Sequence, residues 1–320
     1  MGSENSVPAD MAAFASARAA DRRIAGVAAA ARAVRSLAEA GALEIRLGIA
    51  DGAPLARATL EDIERLRGGA AVSVERGTGA PAVLPSSWEV VRATGKPGDG
   101  LVSRRLNRSV SQRITWLLLR IPGARPIQVT IFNAVLALVI VPVLLLGGEA
   151  GLVLGGILFH TASILDGVDG EMARATFRAS PAGAALDSAV DIATNLLFVG
   201  ALTVNLALRD GDAIGWIGAW AVTLSVVGGM LIARRVRAGG APLGFDLFKR
   251  SVHIRGLVDL IYWAVQTLTG RDCFAFLFMA LILVGLERTA LMIYAGVGTV
   301  WIVYVLASLL PLPRLFRGAA

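Results

Sequence analysis

From Ile127 onward the chain returns repeatedly to apolar runs long enough to cross a bilayer, which takes about twenty residues. Before about residue 95 charges are frequent and no such run occurs. That contrast divides a chain of 320 residues, 55% hydrophobic and 17% charged, into a modest front part and a large membrane part. Six spans are expected, at roughly 127–147, 149–168, 183–207, 213–233, 270–287 and 289–311, with 251–268 as a further amphipathic or partly buried helix. Met1 to Asp21 lack the basic-then-apolar order of a cleavable signal peptide.

Charge placement orients the spans, because loops on the cytoplasmic side of a membrane protein carry the excess of Lys and Arg. Basic residues collect before the first span and between the second and third (Arg174, Arg178). They recur between the fourth and fifth (Arg234, Arg235, Arg237, Lys249, Arg250, Arg255) and after the sixth (Arg314, Arg317). The alternate loops are short and nearly neutral. Six spans put every basic region on one side, so both termini and the front domain are expected in the cytoplasm. Seven would break the agreement.

The front domain, residues 1–95, reads as a small soluble α/β unit. Arg22 to Ala40 is Ala-rich with apolar residues at helical spacing, and Gly41 follows as a stop. Leu43 to Ile49 alternates with period two, as a half-buried strand does. Thr59-Leu60-Glu61-Asp62 opens a second short helix, Ala71 to Val74 suggests a second strand, and the Gly/Pro-rich stretch 77–85 breaks the pattern. Residues 96–126 form a linker with an amphipathic helix. From Val102 to Ile121, Arg104, Arg105, Arg108, Arg113 and Arg120 alternate with Leu106, Val110, Ile114 and Trp116 to Leu119. Such a helix is expected to lie in the membrane interface, arginines toward anionic lipid. A single cysteine, Cys273, excludes an internal disulfide framework and a multi-cysteine zinc site.

The decisive stretch runs Ile164-Leu165-Asp166-Gly167-Val168-Asp169-Gly170-Glu171-Met172-Ala173-Arg174 and resumes at Gly183-Ala184-Ala185-Leu186-Asp187-Ser188-Ala189-Val190-Asp191. Asp166 and Asp169 share a helical face that Gly170 and Ala173 continue, and Gly183, Asp187, Asp191 and Asn195 form a stripe on the next helix. An aspartate at the centre of a span costs about 2.5–3.5 kcal/mol on insertion scales. Clustered carboxylates also repel one another. A hard divalent cation relieves both penalties, since Mg²⁺, Mn²⁺ and Ca²⁺ favour oxygen ligands. Mg²⁺ commonly shares its coordination with substrate phosphates, which points to a diphosphate-bearing ligand. Gly170, Ala173 and Gly183 then become places where a flat nucleotide can approach the backbone. Close helix packing would explain the small residues. It would not explain four aspartates beside them.

The pattern Asp166-x-x-Asp169-Gly170-x-x-Ala173-Arg174, eight residues, Gly183-x-x-x-Asp187-x-x-x-Asp191 resembles the full signature of the CDP-alcohol phosphotransferase family, with every fixed position filled. The resemblance covers about residue 96 to the C-terminus. It implies a six-helix membrane domain over 127–320, assembled as a homodimer, with its site opening to the cytoplasm. Asp166, Asp169, Asp187 and Asp191 are expected to hold Mg²⁺ or Mn²⁺, two ions per site. Asp191 is also the expected general base for the acceptor hydroxyl. Asp169, Gly170, Ala173, Arg174, Gly183 and Asp187 are the expected CDP-binding residues. The reaction implied is displacement at the phosphorus next to the alcohol, from a CDP-linked donor to an acceptor hydroxyl, releasing CMP. Phospholipid or polyol-phosphodiester synthesis is its setting, and no nucleic-acid partner is expected.

One position departs from the family. Many members open the first span with Pro-Asn followed closely by Thr, whereas here Pro126 is followed by Ile127, with Thr130 after it. Upstream, Lys96 to Arg108 resembles the segment preceding the membrane domain in the di-myo-inositol-phosphate-phosphate synthase branch. A sugar-phosphate cytidylyltransferase is often fused in front there. Residues 25–49 resemble a fragment of that fold, without its Gly-rich nucleotide loop, so the front domain is expected to be catalytically silent. The donor is accordingly CDP-diacylglycerol or a CDP-polyol such as CDP-inositol. Arg234, Arg235, Lys249 and Arg250 are candidates for an acceptor phosphate, ordinary positive-inside charge being the plainer account. His160 is expected to be a packed residue and Asn195 to orient Asp191 or touch substrate. The rival class is a divalent-cation transporter or channel, since intramembrane acids also mark ion paths. Such a protein spreads its charges along a route, often on repeated halves; here they cluster and no repeat is visible.

Overall fold

The computed structural model describes residues 10–77, 81–96, 100–238 and 270–309. It divides into two compact units. One comprises the front domain together with Ile114–Ala124 and Glu171–Arg178, and the other holds the remainder.

In the front unit, strand β1 (Met11–Phe14) is followed by a short helix α1 (Ala17–Asp21), a hairpin of β2 (Arg23–Ile24) and β3 (Val27–Ala28), and helix α2 (Ala29–Glu39). Strand β4 (Glu44–Ile49), helix α3 (Arg57–Leu66), strand β5 (Ala71–Arg76) and helix α4 (Ser87–Arg92) complete it. β4 lies central in a parallel sheet of order β1-β4-β5, with Met11 opposite Arg46 and Glu44 opposite Ala71. The alternation read in the sequence is real: Ile45, Leu47 and Ile49 are buried while Glu44 and Arg46 are exposed. The Ala-rich α2 buries Ala29, Ala30, Ala31 and Val34 in the core with them. Small side chains let its backbone come close to its neighbours.

The helix expected from Arg22 begins only at Ala29, because residues 23–28 form the hairpin. Its two-residue turn has Ala25 at φ 44° and Gly26 at φ 78°, the pair of positive values that matches the twist of hairpin strands. β1 also goes unannounced, being short and alanine-rich. Where a Cβ would stand on Gly26, Leu119 Cδ2 and Thr176 Cγ2 lie 3.2 and 3.3 Å away. Gly26→Val is therefore expected to destabilise this unit by about 2 kcal/mol through left-handed strain and crowding. Hydrogen exchange at residues 45–49 measures it; unchanged protection there would contradict the account.

The helix expected over Val102 to Ile121 is two pieces, a wide π-helical turn at Ser103–Asn107 and α5 (Arg108–Leu118). The chain then runs through α6 (Pro126–Leu146), α7 (Gly148–Ala175), α8 (Pro181–Asp210), α9 (Asp212–Ala238), α10 (Arg271–Leu283) and α11 (Glu287–Leu309), all in the second unit except the last turn of α7 from Glu171. Among the described residues, α6, α7, α8 and the 212–230 part of α9 are long and apolar enough to cross a membrane. Ile131, Phe132, Val135, Leu138 and Val139 of α6 are exposed, as lipid-facing side chains must be. α7 is longer than the expected second span, since nothing after Val168 breaks a helix until residues 176–178. α10 is shorter than the expected fifth span. It ends before Gly285, whose φ of 74° closes the helix as glycine commonly does. The amphipathic stretch 251–268 lies outside the described residues.

An aromatic cluster ties this unit together. Phe159 of α7 stacks on Phe198 of α8 at 3.8 Å, and Phe274, Phe278 and Tyr294 surround them from α10 and α11. Asn205 donates 2.7 Å to the Leu144 carbonyl, satisfying one of the acceptors that the end of α6 leaves open.

Candidate metal and nucleotide site

Two helix ends build the site. Asp166 and Asp169 lie late in α7, and Asp187 and Asp191 lie early in α8, so a single reversal of the chain brings both pairs to one level. α8 starts sharply because Pro181 occupies its first turn and Ser180 Oγ accepts from Gly183 N at 3.1 Å.

Asp166, Asp187 and Asp191 converge, each offering a carboxylate oxygen within 4.8 Å of the others. Asp169 is the most buried of the four, at 5% exposure. It accepts a hydrogen bond from Thr130 of α6, while its Oδ1 is buried with no hydrogen-bond partner. Asn195, next on the stripe, also buries an Oδ1 without a partner. A residue that the sequence reading did not single out stands among the acids. Arg271, the first of α10, places Nη1 2.8 Å from Asp166 Oδ1 and donates to Asp191 Oδ1. Its Nε and Nη2 are buried without a hydrogen-bond partner.

This donor set suits a hard divalent cation. At 4.8 Å a pair of unit negative charges repels by about 3 kcal/mol at an effective dielectric constant near 20, and one guanidinium offsets only one of the carboxylates. The convergent oxygens and the orphaned Asp169 Oδ1 are what such a cation would take up. His160 is no member of the cluster; it is buried beside Phe276, ring centroids 5.6 Å apart.

The remaining candidates divide. Gly183 is exposed and Gly170 half-buried. Ala173 and Arg174 belong to the front unit, where Arg174 Nε donates 2.8 Å to the Thr94 carbonyl. Arg234 is exposed on α9, while the side chain of Arg235, and Lys249 and Arg250 altogether, lie outside the described residues. Thr130, which the sequence did flag as the threonine following Pro126, acts by holding Asp169.

Residues 124–310 match the model of the CDP-alcohol phosphatidyltransferase family. Three proteins named "Bifunctional IPC transferase and DIPP synthase" are similar to the chain. The protein from Aquifex aeolicus is 31% identical over 206 residues, which is 62% of this chain and 44% of that protein. The one from Rubrobacter xylanophilus is 39% identical over 137 residues, 42% of this chain and 30% of its own. The one from Thermococcus kodakarensis is 43% identical over 94 residues, 29% and 20% respectively. The chain thus spans less than half the length of these relatives.

Proposed function

The chain belongs to the CDP-alcohol phosphatidyltransferase family, a family of transferases, and we propose that it moves a phospho-alcohol group from a CDP-linked donor to an acceptor hydroxyl with release of CMP. The observation that carries this reading is the convergence of Asp166, Asp187 and Asp191 from two consecutive membrane helices, beside Asp169 with its open oxygen. The proposed assembly is a homodimer of six-span protomers in the cytoplasmic membrane, with both termini and the front domain in the cytoplasm and the amphipathic segment around α5 at the interface.

Asp166, Asp169, Asp187 and Asp191 would hold Mg²⁺ or Mn²⁺, two ions per site. When bound, the metal spreads the diphosphate charge and stabilises CMP as the leaving group. The protein does the rest. Thr130 fixes the rotamer of Asp169 by its hydrogen bond. Gly170 and Gly183 leave room for the cytidine, and Ala173 and Arg174 serve the donor from the end of α7. Arg271 pairs with Asp166 and Asp191 and so ties the two carboxylates to one donor at the head of α10. Asp191 takes the acceptor proton as the new P–O bond forms and the bond to CMP breaks. Atoms balance: the proton goes to the carboxylate and the electron pair of the broken bond leaves with CMP.

The relatives carry "DIPP synthase" in their name, which favours a polyol donor such as CDP-inositol over CDP-diacylglycerol, and hence polyol-phosphodiester rather than phospholipid synthesis. Arg234, Arg235, Lys249 and Arg250 are proposed to receive an acceptor phosphate. The test is purified protein with Mg²⁺ and a panel of CDP-inositol, CDP-diacylglycerol, CDP-glycerol and CDP-choline, scored for CMP with inositol phosphate and other hydroxyl acceptors. Release is expected from CDP-inositol and is expected to stop on adding EDTA. Undiminished turnover in EDTA would sink the metal mechanism, and no CMP from any donor would sink the reaction class.

A further inference from the structure

The front domain makes its most specific contacts with one short segment of its own chain, the end of α7 and the turn after it. The last carbonyls of a helix have no acceptor role inside it and carry the negative end of its dipole, so they call for donors and cations. Here the front domain supplies them. Arg32 of α2, only 7% exposed, donates to the Ala175 carbonyl at 2.5 Å. Its other bonds go to the Ile24 and Ala25 carbonyls, at 2.8 and 3.2 Å. A single guanidinium therefore bridges the β2–β3 hairpin and the end of α7. Arg65 of α3 donates to the Thr176 and Phe177 carbonyls at 3.1 and 3.3 Å, and Asp62 holds Arg65 from behind at 3.0 Å.

Phe177 completes the arrangement. Its φ of 55° is a left-handed value that a bulky residue rarely adopts. The guanidinium carbons of Arg32 and Arg35 lie 5.3 and 5.7 Å from its ring centre, within cation–π range. Around this core, Gly26 admits Thr176, buried Glu171 accepts from Thr115 at 2.6 Å, and Arg174 is tied to the Thr94 carbonyl. A fortuitous packing surface would be apolar. Here two arginines of the front domain, Arg32 and Arg65, read backbone carbonyls of the segment, and Arg174 of the segment reads one in return.

We propose that the front domain is a clamp on residues 171–178 of its own chain, in which Arg32 and Arg65 are positioning residues that fix the last turn of α7 and with it Ala173 and Arg174. The kinetic consequence rests on the reading above that these two residues serve the CDP-linked donor. The clamp itself does not.

The experiment uses the full chain in lipid nanodiscs and compares wild type, Arg32→Gln, Arg32→Lys and Arg65→Gln. Hydrogen exchange across 172–178 is the direct readout. It should speed up about ten-fold in both glutamine variants, as expected for losing charge-assisted hydrogen bonds, with α11 protection unchanged. Arg32→Lys should fall between, because an ammonium cannot span three carbonyls. Donor KM should rise about ten-fold with little change in kcat, the pattern for lost positioning of bound donor. Mn²⁺ binding to the aspartates, followed by electron paramagnetic resonance, should not move. If burial makes Arg32→Gln fail to fold, Arg65→Gln, whose side chain is 30% exposed, carries the same reading. Wild-type exchange at 172–178 in Arg65→Gln would overturn the clamp. Faster exchange with unaltered KM would overturn its role in positioning. A wild-type protein that releases no CMP from any donor would defeat the proposed reaction, while the exchange data would still decide the clamp.

Discussion

Asp191→Asn is expected to lower the rate of CMP release by about a thousand-fold, mid-range for loss of a general base. The amide is nearly the shape of the carboxylate, so the packing of α8 should survive. What disappears is the proton acceptor and one of the three convergent oxygen ligands. The two losses can be separated by metal titration. Asp166→Asn and Asp187→Asn remove ligands without removing the base, so part of their activity should return as Mn²⁺ is raised. Asp191→Asn should not recover at any Mn²⁺ concentration. If it regains activity within ten-fold of wild type at saturating metal, Asp191 is a ligand only and the base lies elsewhere.

This pair of outcomes follows from features that local sequence can carry. Spacings of three and four place Asp166 with Asp169 and Asp187 with Asp191 on single helix faces, whatever the rest of the chain does. The bilayer makes four acids too costly to be incidental. The alternation in residues 43–49 was equally legible, because a sheet with one buried face imposes period two over a few neighbouring residues.

The partners of those acids were not legible, for a reason of distance along the chain. Arg271 is 80 residues beyond Asp191, and at the head of an apolar run it looks like one more charge at a span's end. Arg32 meets Ala175 across 143 residues, and on an Ala-rich helix it looks like a solvated residue. Its acceptors are backbone carbonyls, which every residue has. Phe177 gives no hint of a positive φ, since only glycine or asparagine there would have suggested one. Element ends failed similarly. The hairpin at 23–28 turns on Ala25-Gly26, where one glycine in an alanine-rich stretch is weak evidence against a helix.

Arg271→Gln tests the most consequential of these unannounced contacts. With metal removed, the guanidinium is the cation that Asp166 and Asp191 share, and all three side chains are more than two-thirds buried. Removing one partner of a buried ion pair strands the other charge, so the metal-free protein should lose about 3 kcal/mol of stability. Saturating Mg²⁺ or Mn²⁺ should close most of that gap, because the ion then supplies the missing charge to the same carboxylates. Metal affinity should move the other way. A guanidinium 2.8 Å from Asp166 Oδ1 must either withdraw when a divalent ion arrives or remain and repel it. At about 4 Å that repulsion is worth several kcal/mol per unit charge at an effective dielectric constant near 20. Both routes weaken binding in the wild type, so Arg271→Gln should bind Mn²⁺ about ten-fold more tightly, an increment smaller than the full repulsion because the acids also lose their fixed orientation. Thermal unfolding with and without metal, and Mn²⁺ titration by electron paramagnetic resonance, read the two effects separately. Weaker Mn²⁺ binding in the variant would show that Arg271 organises the carboxylates for the metal instead of competing with it, and a stability gap that persists at saturating metal would show that its pairing lies outside the cation site.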